Sequence, residues 1–196
     1  PYWCNGAAVK TPDGKNGTTY DAGLYDGYEL VEELGRGIAK IRPTNYGQYE
    51  LWNHCGDDLR HNENNWYDIS RLTYNRPASK GGSETYFGKP VERKFVSDTM
   101  RCYFSFPTVK VLIYKDDLNK GKTPTGGFTD QYVFRLAETY LMRAEANYWL
   151  GNIPAATADV NEIRKRAKAP ELFTVSLDDI LDERARELYI EEHRKV

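Results

Sequence analysis

From Val133 onward, apolar residues recur every three or four positions, with polar and charged residues between them. That period predicts three consecutive amphipathic helices. The first carries the stripe Val133, Leu136, Ala137, Tyr140, Leu141, Ala144 and Tyr148. Asp130 is placed to cap it, and Gly151-Asn152 to stop it. The second is expected to begin near Pro154, since proline is tolerated in a first turn, and to bury Ala156, Val160, Ile163 and Ala167 before Pro170. The third opens on Ser176-Leu177-Asp178-Asp179, a capping-box pattern with Asp in place of Glu, and carries Leu177, Ile180, Leu181 and Leu188. The joint from Gly151 to Ile153 is too short for anything but an antiparallel αα-hairpin.

Upstream the pattern changes. Residues 1–128 are rich in Gly, Asn, Asp and Tyr and hold three of the four Trp. Turn signals are frequent there: Pro12-Asp13-Gly14, Asn16-Gly17, Tyr46-Gly47, Gly81-Gly82 and Gly126-Gly127. Two runs alternate or are β-branched, and residues 30–42 and 107–115 are expected to be extended, while 26–34 admits a short helix. The chain is thus expected to divide near residue 128, into a loop-rich segment 1–128 and a helical segment 129–196. The fold class expected is mainly α, tetratricopeptide-like helical hairpins with a loop-rich part carrying a few short strands.

The 196 residues suffice for a domain with its own core. The formal net charge of −2 argues against a nucleic-acid partner, which usually meets a basic face. No apolar run approaches the roughly 18 residues of a membrane span. The three cysteines, Cys4, Cys55 and Cys102, are widely spaced and include no C-x-x-C pair, so neither a disulfide framework nor a zinc site is expected.

The helical part also resembles a known family. The small residues Ala144, Ala146 and Gly151, with Leu150 and the run from Ala155 to Ala158, resemble the spacing of a tetratricopeptide repeat, whose hairpins stack on neighbours. The blocks Arg135-Leu136-Ala137-Glu138-Thr139-Tyr140-Leu141, Arg143-Ala144-Glu145-Ala146 and Leu150-Gly151-Asn152 are more specific. So are Asp159-Val160-Asn161-Glu162-Ile163-Arg164-Lys165-Arg166-Ala167 and Ile180-Leu181-Asp182-Glu183-Arg184-Ala185-Arg186-Glu187-Leu188, followed by Glu191-Glu192-His193-Arg194. In this order they resemble the SusD/RagB family over about a third of the chain. The resemblance implies a C-terminal piece of a lipid-anchored protein of the bacterial outer membrane, at the cell surface. It implies a non-catalytic binder of oligosaccharide, or in some members peptide, partnered with a SusC-type TonB-dependent transporter. It transfers no site residues, because ligand loops differ between members.

Candidate ligand residues therefore come from the residues themselves. Sugars present flat apolar faces ringed by hydroxyls, which an exposed aromatic and rim amides, acids or guanidiniums can read. Residues 46–76 offer that mixture, with Trp52 and Trp66 first because both lie in polar loop context. Tyr46, Asn53, Asp58, Arg60 and Tyr67 complete the candidate set. Against this stands the common use of Trp and Tyr as partly buried core with a polar handle. A glycoside hydrolase on a helical scaffold would need two carboxylates about 5 to 10 Å apart, and Asp57, Asp58, Asp68 and Glu84 are available without any spacing that selects a pair. Gly121-Lys122-Thr123 ends like a phosphate-binding loop but has Asp116 where glycine is required. Asp117, Asn119 and Gly121 leave room for a loose calcium site but lack the ligand order of a calcium loop, so no cofactor is expected. His54, Asp57, Asp58 and His61 could be metal ligands and read better as a solvated loop. The charges of the third helix, Glu183 and Glu187 on one face with Arg184 and Arg186 nearby, are expected to lace hairpins together with Arg135, Arg143, Glu138 or Glu145.

Overall fold

The computed structural model describes residues 8–18, 42–107 and 132–191. The expected strands at 30–42 and 107–115 lie outside these residues except at their edges, as do the helix at 26–34, Asp130, Cys4 and the 116–123 loop. The fold is mainly α, with short strands and 3-10 turns in its loop-rich part. The chain forms two compact units: Pro1–Pro43 with Trp66–Thr129, and Thr44–Asn65 with Asp130–Val196.

Among the described residues of the first unit, scattered antiparallel contacts pin the backbone. A two-residue strand β1 (Trp66–Tyr67) pairs with β2 (Phe106–Pro107). Single bridges join Val9 to Val96, Lys10 to Asn16 and Thr73 to Pro90. The Pro12-Asp13-Gly14 signal does make a turn: Gly14 adopts φ 80 and its N–H reaches the Thr11 carbonyl at 2.8 Å. Ala8, Val9, Leu72, Tyr74, Val91, Val96, Cys102 and Phe104 form the core. Two glycines are fixed by close approach. A Cβ on Gly17 would lie 2.7 Å from the Tyr74 ring, and one on Gly82 would lie 1.9 Å from the Arg76 carbonyl oxygen.

The second unit is built on three helices, α2 (Leu136–Trp149), α3 (Ile153–Arg166) and α4 (Leu177–Glu187), preceded by a single turn α1 (Asn45–Gln48). Helix α2 starts later than the apolar stripe suggests. Arg135 is its N-cap, in extended conformation and without a side-chain cap bond. Val133 lies before the helix, and Val133 and Leu136 are 91% and 71% exposed. The face that packs is Ala137, Leu141 and Ala144, where short side chains let α3 approach. The Gly151 stop holds: Gly151 takes φ 77, its N–H reaches the Tyr148 carbonyl at 2.9 Å, and the Asn152 N–H reaches Asn147 at 2.8 Å. That double bond satisfies two carbonyls that a helix end leaves open. Helix α3 buries the expected Ala156, Val160, Ile163 and, just past its end, Ala167. Ala144 meets Ala156 and Val160, while Ala137 and Leu141 meet Ile163, the register of an antiparallel hairpin. Its end is made by Lys168 in the left-handed region, φ 56, ahead of Pro170.

Helix α4 begins with the expected capping box. The Ser176 Oγ accepts from the Asp179 N–H at 3.2 Å, and the Asp179 carboxylate accepts from the Ser176 N–H at 2.8 Å. Of its apolar stripe only Ile180 and Leu188 are fully buried; Leu177 and Leu181 are half-buried. The rest of the inward face is Glu183, Arg186 and Glu187, which are buried as deeply as the core. Among the described residues no helix is long and apolar enough to cross a membrane.

Candidate binding segment and its ionic anchor

Residues 44–65, part of the loop-rich stretch in sequence, pack in the helical unit. The segment is a strap of short turns, two of them closed by a local side-chain cap. Thr44 caps α1 by accepting from the Gly47 N–H at 3.1 Å. A 3-10 turn follows at Glu50–Trp52, and a second at Leu59–His61, where the Asp58 carboxylate accepts from the Arg60 N–H at 2.9 Å. Asx-type caps of this sort substitute for the intrahelical bonds a single turn lacks.

The candidate residues separate into two kinds. Trp52, Asp58 and Trp66 are buried. Trp52 donates its indole N–H to the Gly47 carbonyl at 3.0 Å and stacks on His61 at 4.6 Å between ring centroids. It closes the strap on itself, which is how a buried indole resolves its one polar atom. The polar sequence around Trp52 concealed this, because its partners Gly47 and His61 are themselves loop residues that carry no hydrophobic pattern. Tyr46, Tyr49 and Asn53 are exposed, Tyr49 the most of the two tyrosines at 56%. The Tyr46 hydroxyl bonds the Asp182 carboxylate of α4, and the Gln48 amide donates to the Tyr49 hydroxyl. Trp66 and half-buried Tyr67 belong to the other unit. There the Arg71 guanidinium sits 5.2 Å above the Tyr67 ring. The same capping recurs in that unit, with Lys89 on Tyr86, Arg93 on Tyr103 and Arg42 on Phe104. Ring faces already covered by cations are poor platforms for a sugar.

Arg60 is neither rim nor core alone. Its guanidinium forks onto Asp58, with Nε donating to Oδ1 at 2.9 Å and Nη2 to Oδ2 at 2.6 Å. The remaining Nη1 donates to Glu183 at 2.7 Å and to Glu187 at 3.1 Å. Both glutamates are fully buried and are met from several sides. Glu183 accepts from Arg164 of α3 at 2.8 Å and from Arg186 of its own helix at 3.2 Å. Glu187 accepts from Arg135 at 2.9 Å and also pairs with Arg166. Arg135 continues to Glu191 at 2.7 Å. Arg164 and Arg186 donate further to the Pro170 and Leu51 carbonyls, at 2.6 and 2.7 Å. Of the other expected lacing partners, Glu138 is reached by Arg184 at 3.8 Å as foreseen, while Arg143 takes Asp159 of α3.

The electrostatics follow from that crowding. Burial alone would push the Glu187 carboxyl up, but the hydrogen bond and charge of Arg166, with Arg135 and Arg60, hold it below the usual carboxylate range. Burial opposes the charge of Arg60 too, and the bonds to Asp58 and the field of Glu183 outweigh it, raising its pKa. Burial raises the Tyr189 phenol. A carboxylate held below its usual range stays ionised near neutrality, so Glu187 is poorly suited to donate a proton there. Asp68 caps another 3-10 turn, accepting from the Ser70 N–H at 2.7 Å. Of the possible ligand cluster, Asp58 is taken by Arg60 and His61 stacks on Trp52. Among the described residues no group of three or more His, Cys, Asp or Glu is arranged to hold a metal ion.

The network was visible in sequence only as charge at helical spacing. The signal for its burial is the shortness of the α4 stripe. Ile180 and Leu188 are two turns apart, and Glu183 and Glu187 fill the gap on the same face. A family model described as the SusD family matches residues 10–196. The chain belongs to the SusD family. Within it, the starch-binding protein SusD of Bacteroides thetaiotaomicron is 43% identical over 88 residues, 44% of this chain and 16% of that protein. The SusD-family chain thus matches less than a fifth of its relative's length. No solved structure matches it.

Proposed function

We propose that this chain is part of a non-catalytic glycan-binding protein at the cell surface, which passes oligosaccharide to a SusC-type TonB-dependent transporter in the outer membrane. Family membership, with a relative named for binding starch, is the observation that carries this reading. Within the chain the strap is the contact surface. Tyr46, Tyr49 and Asn53 put two aromatic rings and an amide on its exposed side, the mixture that reads a sugar's apolar face and its hydroxyls. Trp52, Asp58 and Arg60 support that surface from beneath. Trp66 and Tyr67 serve the other unit. A non-catalytic role is supported by the strap's buried acid being committed to Arg60 and the paired glutamates of α4 being enclosed by arginines.

The test is calorimetry with soluble starch and maltoheptaose, alongside a reducing-end assay on the same samples. Binding without release of new reducing ends is expected. Tyr49→Ala should weaken affinity by about 30-fold if the ring is an anchor, since truncating such an anchor costs about 2 kcal/mol. Turnover of the polysaccharide, or unchanged affinity in a folded Tyr46→Ala/Tyr49→Ala protein, refutes the assignment.

A further inference from the structure

The strap contains almost no regular structure, yet α3, α4 and the residues that follow each of them hold it along its whole length. The Tyr46 hydroxyl bonds Asp182. Gly47 approaches Tyr189 so closely that a Cβ would lie 3.4 Å from its ring. The Leu51 carbonyl receives Arg186. Gly56, at φ 58, leaves room for Pro170, which a Cβ would meet at 3.3 Å. The Leu59 N–H reaches the Ala167 carbonyl at 2.9 Å, and Arg60 forks into the α4 glutamates. Arg60 joins a strap acid and both buried glutamates at once.

We infer that Arg60 is a positioning residue: it fastens the strap to α4 so that Tyr46, Tyr49 and Asn53 are held at fixed spacing for a glycan chain. The inference rests on the strap being the contact surface proposed above. It adds that the surface is ordered by an ionic latch that never touches the ligand. A ligand that needs several groups aligned at once binds more weakly to a strap that must first be ordered, because the ordering entropy is then charged to binding.

The latch can be opened without unfolding the helices. When Arg60 is removed, Glu183 keeps Arg164 and Arg186, and Glu187 keeps Arg135 and Arg166. Asp58 alone loses its guanidinium partner while remaining 3% exposed in the closed arrangement. It regains water by letting the strap swing out, so the penalty falls on the strap. Lysine cannot substitute, because a single ammonium cannot fork onto Asp58 and reach the glutamates together.

The experiment compares hydrogen exchange and maltoheptaose calorimetry for the wild-type chain, Arg60→Ala, Arg60→Lys and Gly56→Ala. Gly56→Ala loosens the strap at its Pro170 contact without touching any charge. In all three variants, exchange protection of residues 44–65 should fall about tenfold or more while α2, α3 and α4 keep theirs. Maltoheptaose affinity should fall by a similar factor. Millimolar methylguanidinium should restore part of both in Arg60→Ala and neither in Gly56→Ala. Unchanged strap protection, collapse of helix protection in Arg60→Ala together with Arg60→Lys, or a loosened strap with wild-type affinity each overturns the latch. Tyr49→Ala separates the two ideas. If it loses affinity while the loosened variants do not, the surface stands and the latch falls. If it keeps wild-type affinity, the surface itself is wrong.

Discussion

Glu183 offers the sharpest test of what holds the helical unit together. It is 0% exposed and accepts bonds from Arg60, Arg164 and Arg186 at 2.7, 2.8 and 3.2 Å. Glu183→Ala removes the one carboxylate that these three guanidiniums share. Breaking a buried pair from one side costs about 3 to 5 kcal/mol, because the partner's charge is left in a medium that solvates it poorly. Here each arginine keeps a second acceptor: Pro170 for Arg164, Leu51 for Arg186, and Asp58 with Glu187 for Arg60. The expected loss is therefore at the lower end, about 3 kcal/mol. With an m-value of about 2 kcal/mol/M, the urea midpoint followed by far-ultraviolet circular dichroism should fall by about 1.5 M. Glu183→Gln keeps the shape and one acceptor and should fall between the two. The exposed pair Lys94–Glu92, with side chains 69% and 47% exposed, is the control, and breaking it should leave the midpoint unchanged. A Glu183→Ala midpoint within 0.2 M of wild type, roughly a tenth of the m-scaled loss expected above, would show that the buried charges carry no net stabilisation.

Glu187 sets the acid limit. Its carboxyl is held below the 4.5 of an ordinary glutamate, so the unfolded chain takes up the proton first. Its contribution is complete above that value and is lost as pH falls through the folded pKa, so thermal midpoints should drop below about pH 4.5 and do so less steeply in Glu187→Gln. Arg135→Ala removes the bonds to Glu187, the Glu187 carbonyl and Glu191. It should lower stability by about 2 to 3 kcal/mol in chemical denaturation while the folded fraction binds maltoheptaose as wild type does; a stable variant lacking only binding contradicts that. Gly82→Ala forces a Cβ into the Arg76 carbonyl at 1.9 Å, and should cost about 3 kcal/mol or prevent folding of the first unit, with retention of wild-type melting refuting it.

How far the sequence could be read depended on the range of the forces involved. The Ser176–Asp179 box, the Gly151 stop and the Ala156, Val160, Ile163 stripe were legible because each is decided within one or two turns. The α2 stripe held from Ala137 onward and failed only at its start, where Val133 and Leu136 are exposed; apolar residues lie on both sides of that helix. Leu136, Met142, Trp149 and Leu150 are all exposed, and the packing face is the expected Ala137, Leu141 and Ala144. The sites of Trp52, Asp58 and Arg60 depend on partners such as Glu183, 123 residues away, which no local pattern encodes. A Trp among Asn, His and Gly reads as exposed until a distant helix is laid over it. The pairing of α4 glutamates with arginines was foreseen. Their burial was not, because periodicity rules assign charge to the solvent side by default.

The separation between Arg60 and Glu183 also has a consequence for synthesis. At about 5 to 20 residues per second, a ribosome needs about 6 to 25 s after making Arg60 to deliver the helix that receives it. Throughout that interval the strap has no anchor, and Trp52, Cys55 and the apolar edge of Leu51 remain uncovered. The latch that orders the strap is thus also the reason this part of the chain waits for α4 before its anchor is complete.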